Sequence, residues 1–282
     1  MRSLLNPRGL LLTLSLPSIV AFAPHQAAHS LKWSVGPATT ASPPFLRAAH
    51  SGRTPLAFGG NFGGLRKSGM GLLDTLLGGG GKRTYTDLAP GSYPAEAAEY
   101  AEAKEVKAVN KDGLSIAMFG GGCFWGLELA YQRVPGVVGT ACGYAQGQVV
   151  DPSYEAVCSG TTGHTEVISM TYNPKEVSYQ DLCKVLFSRI NPSLKNQVGN
   201  DRGTQYRHGI YTTSPEQMAA AQEVVTEVKA NLGDAPFHTE LVDAEVFYPA
   251  EGYHQQYLEK GGRGGNGQNA AKGATETIRC YG

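Results

Sequence analysis

Three consecutive glycines, Gly120, Gly121 and Gly122, separate an apolar run from a helical repeat that starts at Cys123. Leu114 to Phe119 is mostly apolar and bounded by Gly, which suits a buried strand. Gly reaches backbone conformations closed to other residues, so the chain can turn tightly here. Phe124, Leu127 and Tyr131 then recur at helical spacing until Pro135-Gly136 stops the pattern. This reading puts Cys123 at the N-terminus of a helix directly after a strand.

The rest of the second half alternates in the same way. Val137 to Gly143 and Thr165 to Tyr172 read as strands. Ser178 can cap a helix through Leu182, Val185 and Leu186 to Ile190, stopped by Asn191-Pro192. Tyr206 to Thr212 reads as a short strand. Ser214 and Gln217 have capping-box spacing, with Pro215 at the first helical position, opening a helix to about Ala230. A last strand is expected over His238 to Phe247 and a last helix over Glu251 to Leu258. Intermixed strands and helices with hairpin-like neighbours predict an α+β domain.

Charge marks where that domain begins. Residues 1–73 hold seven Lys or Arg and no Asp or Glu, leaving 17 basic and 24 acidic residues beyond them, a net of −7. The mildly acidic remainder gives no support to a nucleic-acid surface. Arg2 and Arg8 precede an apolar run, Leu10 to Val20, followed by the small-residue exit Ala21-Phe22-Ala23. That is a signal-peptide pattern, and the run is too short to span a bilayer comfortably. The basic, acid-free stretch after Phe22 has transit-peptide composition. The pair resembles the two-part presequence of algae with secondary plastids, so plastid import is expected. A mitochondrial or secretory destination is the alternative.

The domain layout expected is a disordered presequence over 1–73, a linker over 74–112, a single catalytic domain over 113–260 and a flexible tail over 261–282. Ala- and Glu-rich residues 95–110 could add a short helix with a thin apolar face.

Five cysteines occur: Cys123, Cys142, Cys158, Cys183 and Cys280. No CxxC pair and no ligand spacing is present, so no metal and no organic cofactor is implied. Cys142 and Cys183 fall in an expected strand and helix and read as core. Local residues leave two readings for Cys123, a nucleophile or a buried structural thiol. A helix N-terminus favours the thiolate, the reactive form of cysteine.

Gly122-Cys123-Phe124-Trp125-Gly126 resembles the A-type peptide methionine sulfoxide reductases. The match continues through Gly143-Tyr144, Pro152-Ser153-Tyr154, Val157 to Gly160, Gly163-His164-Thr165-Glu166, Asn200 to Arg207 and His254-Gln255-Gln256-Tyr257-Leu258. Several ordered motifs at compatible spacing are specific where one would not be. The resemblance implies a ferredoxin-like α/β sandwich with extra elements, and reduction of methionine S-sulfoxide, free or protein-bound. It also implies site roles. Cys123 is the nucleophile and Glu166 the acid, kept protonated by a partly apolar pocket. Tyr154 and Tyr206 are the phenols that hold the sulfoxide oxygen. Phe124 and Trp125 form the pocket for the methyl group, and Asp201 lines the site. The resulting sulfenic acid condenses with a second thiol. Cys280 in the C-terminal tail is the expected resolver, with Cys158 as an alternative. The disulfide is then returned by thioredoxin or glutaredoxin. His164 and His254 are read as structural. A monomer is expected, with no membrane and no nucleic-acid partner.

Two rival readings remain. A thiol hydrolase would pair Cys123 with His164 or His254. A redox-sensing module would form a Cys123–Cys280 disulfide without turnover, and would have no use for Glu166, Tyr154 and Tyr206.

Overall fold

Four strands are buried along almost their whole length: β1 (Ser115–Gly121), β2 (Val137–Ala145), β3 (Thr165–Tyr172) and β6 (His208–Thr212). Strands of that kind belong to a sheet covered on both faces. The computed structural model describes residues 84–279. The chain divides into two units, Met1–Arg66 and Lys67–Gly282, and all described residues belong to the second. The expected presequence over 1–73 and Cys280 lie outside the described residues.

The sheet has six strands in the order β7-β6-β1-β3-β2-β8, with β7 at Glu240–Asp243 and β8 at Tyr248–Pro249. β3 runs antiparallel to both β1 and β2, and β6 antiparallel to β1. Helix α2 (Phe124–Gln132) joins β1 to β2, and α4 (Tyr179–Arg189) lies between β3 and β6. The four central strands thus form two interleaved βαβ units, the ferredoxin-like arrangement expected. β7 adds parallel to β6 and β8 antiparallel to β2 as the extra edges.

The main core lies between the sheet and α2, α4 and α5 (Pro215–Leu232). Phe119 stacks between Tyr131 and Tyr179, at 5.2 and 5.6 Å between ring centres. Ser178 and Ser214 cap their helices as the sequence predicts, accepting from Asp181 N and Gln217 N. Gln217 does more than close a capping box. Its Oε1 accepts from Thr213 N at 2.9 Å and its Nε2 donates to Ile116 O at 2.7 Å, tying α5 to β1.

Several regions differ from expectation in bounds or form. The short helix allowed for over 95–110 is α1, Tyr93–Ala103, which starts and ends earlier and buries Pro94, Ala97, Ala98 and Ala101. Together with Met118, Ala141, Val167 and Phe247, Ala97 makes the smaller core on the other sheet face. Alanines let this helix lie close to the sheet, so a thin apolar face suffices. The expected helix over Glu251 to Leu258 is one 3₁₀ turn, Gly252–His254. Gln256 has φ +55°, and the Gln255 side chain takes both backbone groups of Cys142, each at 2.9 Å. The expected last strand over 238–247 shrinks to the four residues of β7.

The C-terminal segment, expected to be flexible, is pinned up to Arg279. Arg133 Nε donates to Asn269 O at 2.8 Å, and Lys272 Nζ donates to Gln132 O and Val137 O at 2.6 Å. The Lys272 cation on Gln132 O, the last carbonyl of α2, is where a helix end needs one. Gln268 brackets Arg279 with two bonds, of 2.7 and 3.0 Å.

Leu186 is fully buried on α4, and its Cδ1 lies 2.9 Å from where a Cβ on Gly121 would stand. Leu186→Ala is expected to cost about 3 kcal/mol in urea unfolding, because it empties the space under the turn that carries Cys123. An unchanged unfolding midpoint would place the core elsewhere.

Candidate functional site

Cys123 is the N-cap of α2, at φ −53° and ψ 119°, directly after the glycine turn. The turn requires its last glycine. Gly122 has φ +77°, and a Cβ there would lie 2.5 Å from Val198 Cβ. Val198 belongs to β4 (Gln197–Val198), a two-residue hairpin strand paired with β5 (Asp201–Arg202). The close approach of this hairpin to the cysteine turn brings Asp201 to the site.

Glu166 is the second residue of β3 and sits opposite Tyr144 of β2. The residue is 2% exposed, and its Oε2 accepts from Phe124 N at 2.9 Å. The acid therefore sits on the first N–H of the helix that Cys123 caps. Burial pushes its pKa up to about 8. The Phe124 N–H opposes this, and the charge of Asp201 reinforces it. At neutral pH the carboxyl holds its proton.

Tyr154 opens the short helix α3 (Tyr154–Cys158), capped by Ser153, and Tyr206 ends the 3₁₀ turn Thr204–Tyr206. Both phenols are pushed well above the usual tyrosine range, mainly by burial. Tyr154 is also hydrogen-bonded to Cys158 and feels Glu166 and Tyr206. Tyr206 feels Glu166, Asp201, Cys158 and Cys123. These mutual effects place Cys123, Glu166, Tyr154, Tyr206, Asp201 and Cys158 in one cluster. Both phenols remain donors at any physiological pH.

An aromatic wall stands beside the cluster. Trp125 is partly exposed and stacks on Tyr257 with 3.9 Å between ring centres. Its indole Nε1 donates to His254 Nδ1 at 3.1 Å. Phe124 is buried against His254 and Tyr144, so it backs the wall. His254 also meets the Tyr154 ring at 4.5 Å. His254 is thus at the site, where it orients Trp125. His164 is elsewhere occupied: its Nε2 bonds Val149 O at 2.7 Å, and burial lowers its pKa. Cys142 and Cys183 are fully buried, as expected of core residues.

Two carboxylates escaped the sequence reading. Glu251 Oε1 accepts from Tyr154 N at 3.1 Å, while its Oε2 accepts from Tyr144 OH at 3.0 Å. Glu128 on α2 is buried and pushed up to about 7 by burial, against bonds from Cys142, Thr140 and Gln256 N that lower it. The Gln256 N–H reaches Glu128 Oε2 at 2.8 Å and fixes the strained residue next to Tyr257. A glutamate at a helical position carries no sign in sequence that it faces inward, so neither role was legible. Among the described residues, no group of three or more His, Cys, Asp or Glu could hold a metal ion.

A cysteine on a helix N-terminus, a protonated carboxyl on the next N–H and two un-ionised phenols can together take an oxygen atom from a substrate and protonate it. Comparison with known proteins agrees. Residues 115–279 match the family model for peptide methionine sulfoxide reductase. The peptide methionine sulfoxide reductase A3 of Arabidopsis thaliana is 51% identical over 170 residues, covering 60% of this chain and 84% of that protein. The chloroplastic A4 protein of the same plant is 48% identical over 202 residues, covering 70% and 78%. Among solved structures, reduced Mxr1 of Saccharomyces cerevisiae aligns with a TM-score of 0.51 at 31% identity, covering 54% of this chain and 88% of that one. The methionine sulfoxide reductase A of Corynebacterium diphtheriae aligns with a TM-score of 0.51 at 30% identity, covering 64% and 91%. The chain belongs to the peptide methionine sulfoxide reductase family and is of its A type, an oxidoreductase that returns methionine sulfoxide to methionine.

Proposed function

We propose that Cys123 attacks the sulfur of a methionine S-sulfoxide while Glu166 gives its proton to the sulfoxide oxygen. The observation that carries this reading is the buried Glu166 carboxyl on the Phe124 N–H beside Cys123, where burial raises its pKa and favours the protonated form. Tyr154 and Tyr206 donate to the same oxygen as charge builds on it. Trp125, backed by Phe124, takes the methyl group, and Asp201 lines the polar side. The oxygen leaves the substrate and ends on Cys123 as a sulfenic acid. The substrate sulfur gains two electrons and the cysteine loses two.

Cys280 then attacks the oxidised Cys123 sulfur, an S–S bond forms and water departs. Up to Arg279 the tail is held at the C-terminal end of α2, on Gln132 and Arg133, whereas Cys123 caps the N-terminal end, so this step calls for the tail to leave those contacts. Thioredoxin, by thiol–disulfide exchange, restores both thiols, with glutaredoxin as the second candidate. We further propose plastid import. The acid-free leader supports it, and relatives from two plants are named chloroplastic.

Thioredoxin-coupled assays on the two sulfoxide epimers test the reading. Turnover of the S epimer only is expected, abolished in Cys123→Ser and stopped after one round in Cys280→Ser. Continued cycling of Cys280→Ser would pass the resolving role to Cys158.

Glu166 gives a second test through pH. Its pKa is raised from 4.5 to about 8 by folding, so burial costs nothing below 4.5. It destabilises the fold increasingly as pH rises through about 8. Glu166→Gln should lose about a hundredfold or more in turnover. It should also become more stable than the parent as pH rises toward 8, with the difference closing near 4.5. A variant that loses most stability at alkaline pH would mean that Glu166 is ionised in the fold.

A further inference from the structure

The segment just before α1 touches the active-site loops from outside the residues that match the family model, which begin at 115. Tyr85 OH donates to Asp151 Oδ1 at 2.8 Å. Asp151 has φ +50° and stands three residues before Tyr154. Asp87 Oδ2 accepts from Gly252 N at 2.5 Å. Gly252 opens the 3₁₀ turn that contains His254, and Glu251, the cap residue of that turn, makes no side-chain capping bond. Asp87 therefore supplies, from 165 residues away, the acceptor that the turn lacks locally. The main chains are in close contact as well. A Cβ on Gly252 would lie 2.3 Å from Asp87 O.

This segment is itself anchored. Leu88 is buried, and its N–H closes a turn on Tyr85 O at 3.2 Å. Tyr93 follows, with its hydroxyl 2.6 Å from Ser169 Oγ and its ring against Gly139. Helix α1 then packs its alanines on the sheet. One end is held by the sheet and the other reaches the two loops that carry Tyr154 and His254.

We propose that residues 85–92 are a strap that sets the geometry of the active site, with Tyr85 and Asp87 as positioning residues. The strap fixes the Asp151 loop and the 3₁₀ turn together. Glu251 links them again by accepting the Tyr154 N–H, and His254 carries the constraint to the Trp125 indole. The effect on turnover rests on the roles proposed above for Tyr154 and Trp125. The strap itself rests only on contacts between described residues.

The test uses the full chain with Trp33→Phe, which leaves Trp125 as the remaining tryptophan of the two. In this background Asp87→Ala should lower kcat/KM for methionine sulfoxide about tenfold, the scale of one lost charge-assisted hydrogen bond. It should also make Trp125 fluorescence more open to acrylamide quenching in the folded protein. Asp87→Asn keeps an acceptor oxygen for the Gly252 N–H and should recover most of both signals. Tyr85→Phe should lower kcat about threefold or more with little change in KM. Parental kcat/KM and quenching in Asp87→Ala, with only a lower melting temperature, would reduce the strap to a stabilising contact and overturn the proposal. Equal defects in Asp87→Ala and Asp87→Asn would overturn it too. An inert Tyr154→Phe, measured alongside, would remove the role given to Tyr154 and leave the quenching arm to decide the strap.

Discussion

One hydrogen bond joins the two halves of the chemistry: the Phe124 N–H on the Glu166 carboxyl, at 2.9 Å. It fixes a residue of β3 to the first turn of α2, so acid and nucleophile share one helix N-terminus. The bond lowers the pKa of Glu166, yet burial outweighs it and the group stays near 8. Were the balance reversed, the carboxylate would compete with the cysteine sulfur for the same helix dipole. Much of the surrounding structure serves this arrangement. The glycine turn seats Cys123 at the cap, the hairpin leans on Gly122, and the close-packed aliphatic core under Gly121 supports the turn.

The wall of the site is built by a stretch with little regular structure, residues 251–258, and polar side chains hold it in place. Gln255 takes the two backbone groups of Cys142, much as another strand would. Glu128 takes the N–H of Gln256, and Glu251 bridges Tyr144 to Tyr154. Buried groups of this kind are costly when left unpaired and rigidifying when satisfied. That explains how Trp125 and Tyr257 can stack at 3.9 Å on a stretch that has one 3₁₀ turn.

Much of this was legible in the sequence. Thr165 to Tyr172 is a strand with the bounds expected, and the caps at Ser178 and Ser214 sit where Ser was read as a cap. The glycine turn and Cys123 were readable because Gly and helical spacing are local signals. The 3₁₀ turn is not legible because Glu251 to Leu258 has helical composition, and tertiary bonds, from Gln255 to Cys142, Gln256 to Glu128 and Gly252 to Asp87, divert it. Helix α1 was underrated because alanines give a weak apolar signal, although they pack closely against a sheet. The tail reads as flexible from its glycines, but Arg133 and Lys272, both distant in sequence from their partners, decide its course. For the turn and the tail, what carries no sign in sequence is a long-range polar contact, which leaves no period in the chain.

The protonated state of Glu166 is the central claim, and infrared difference spectroscopy between the parent chain and Glu166→Gln reads it directly. The account predicts a protonated carboxyl C=O stretch at neutral pH that disappears in the variant and titrates near pH 8. A spectrum that shows only ionised carboxylate for Glu166 at pH 6 would contradict it.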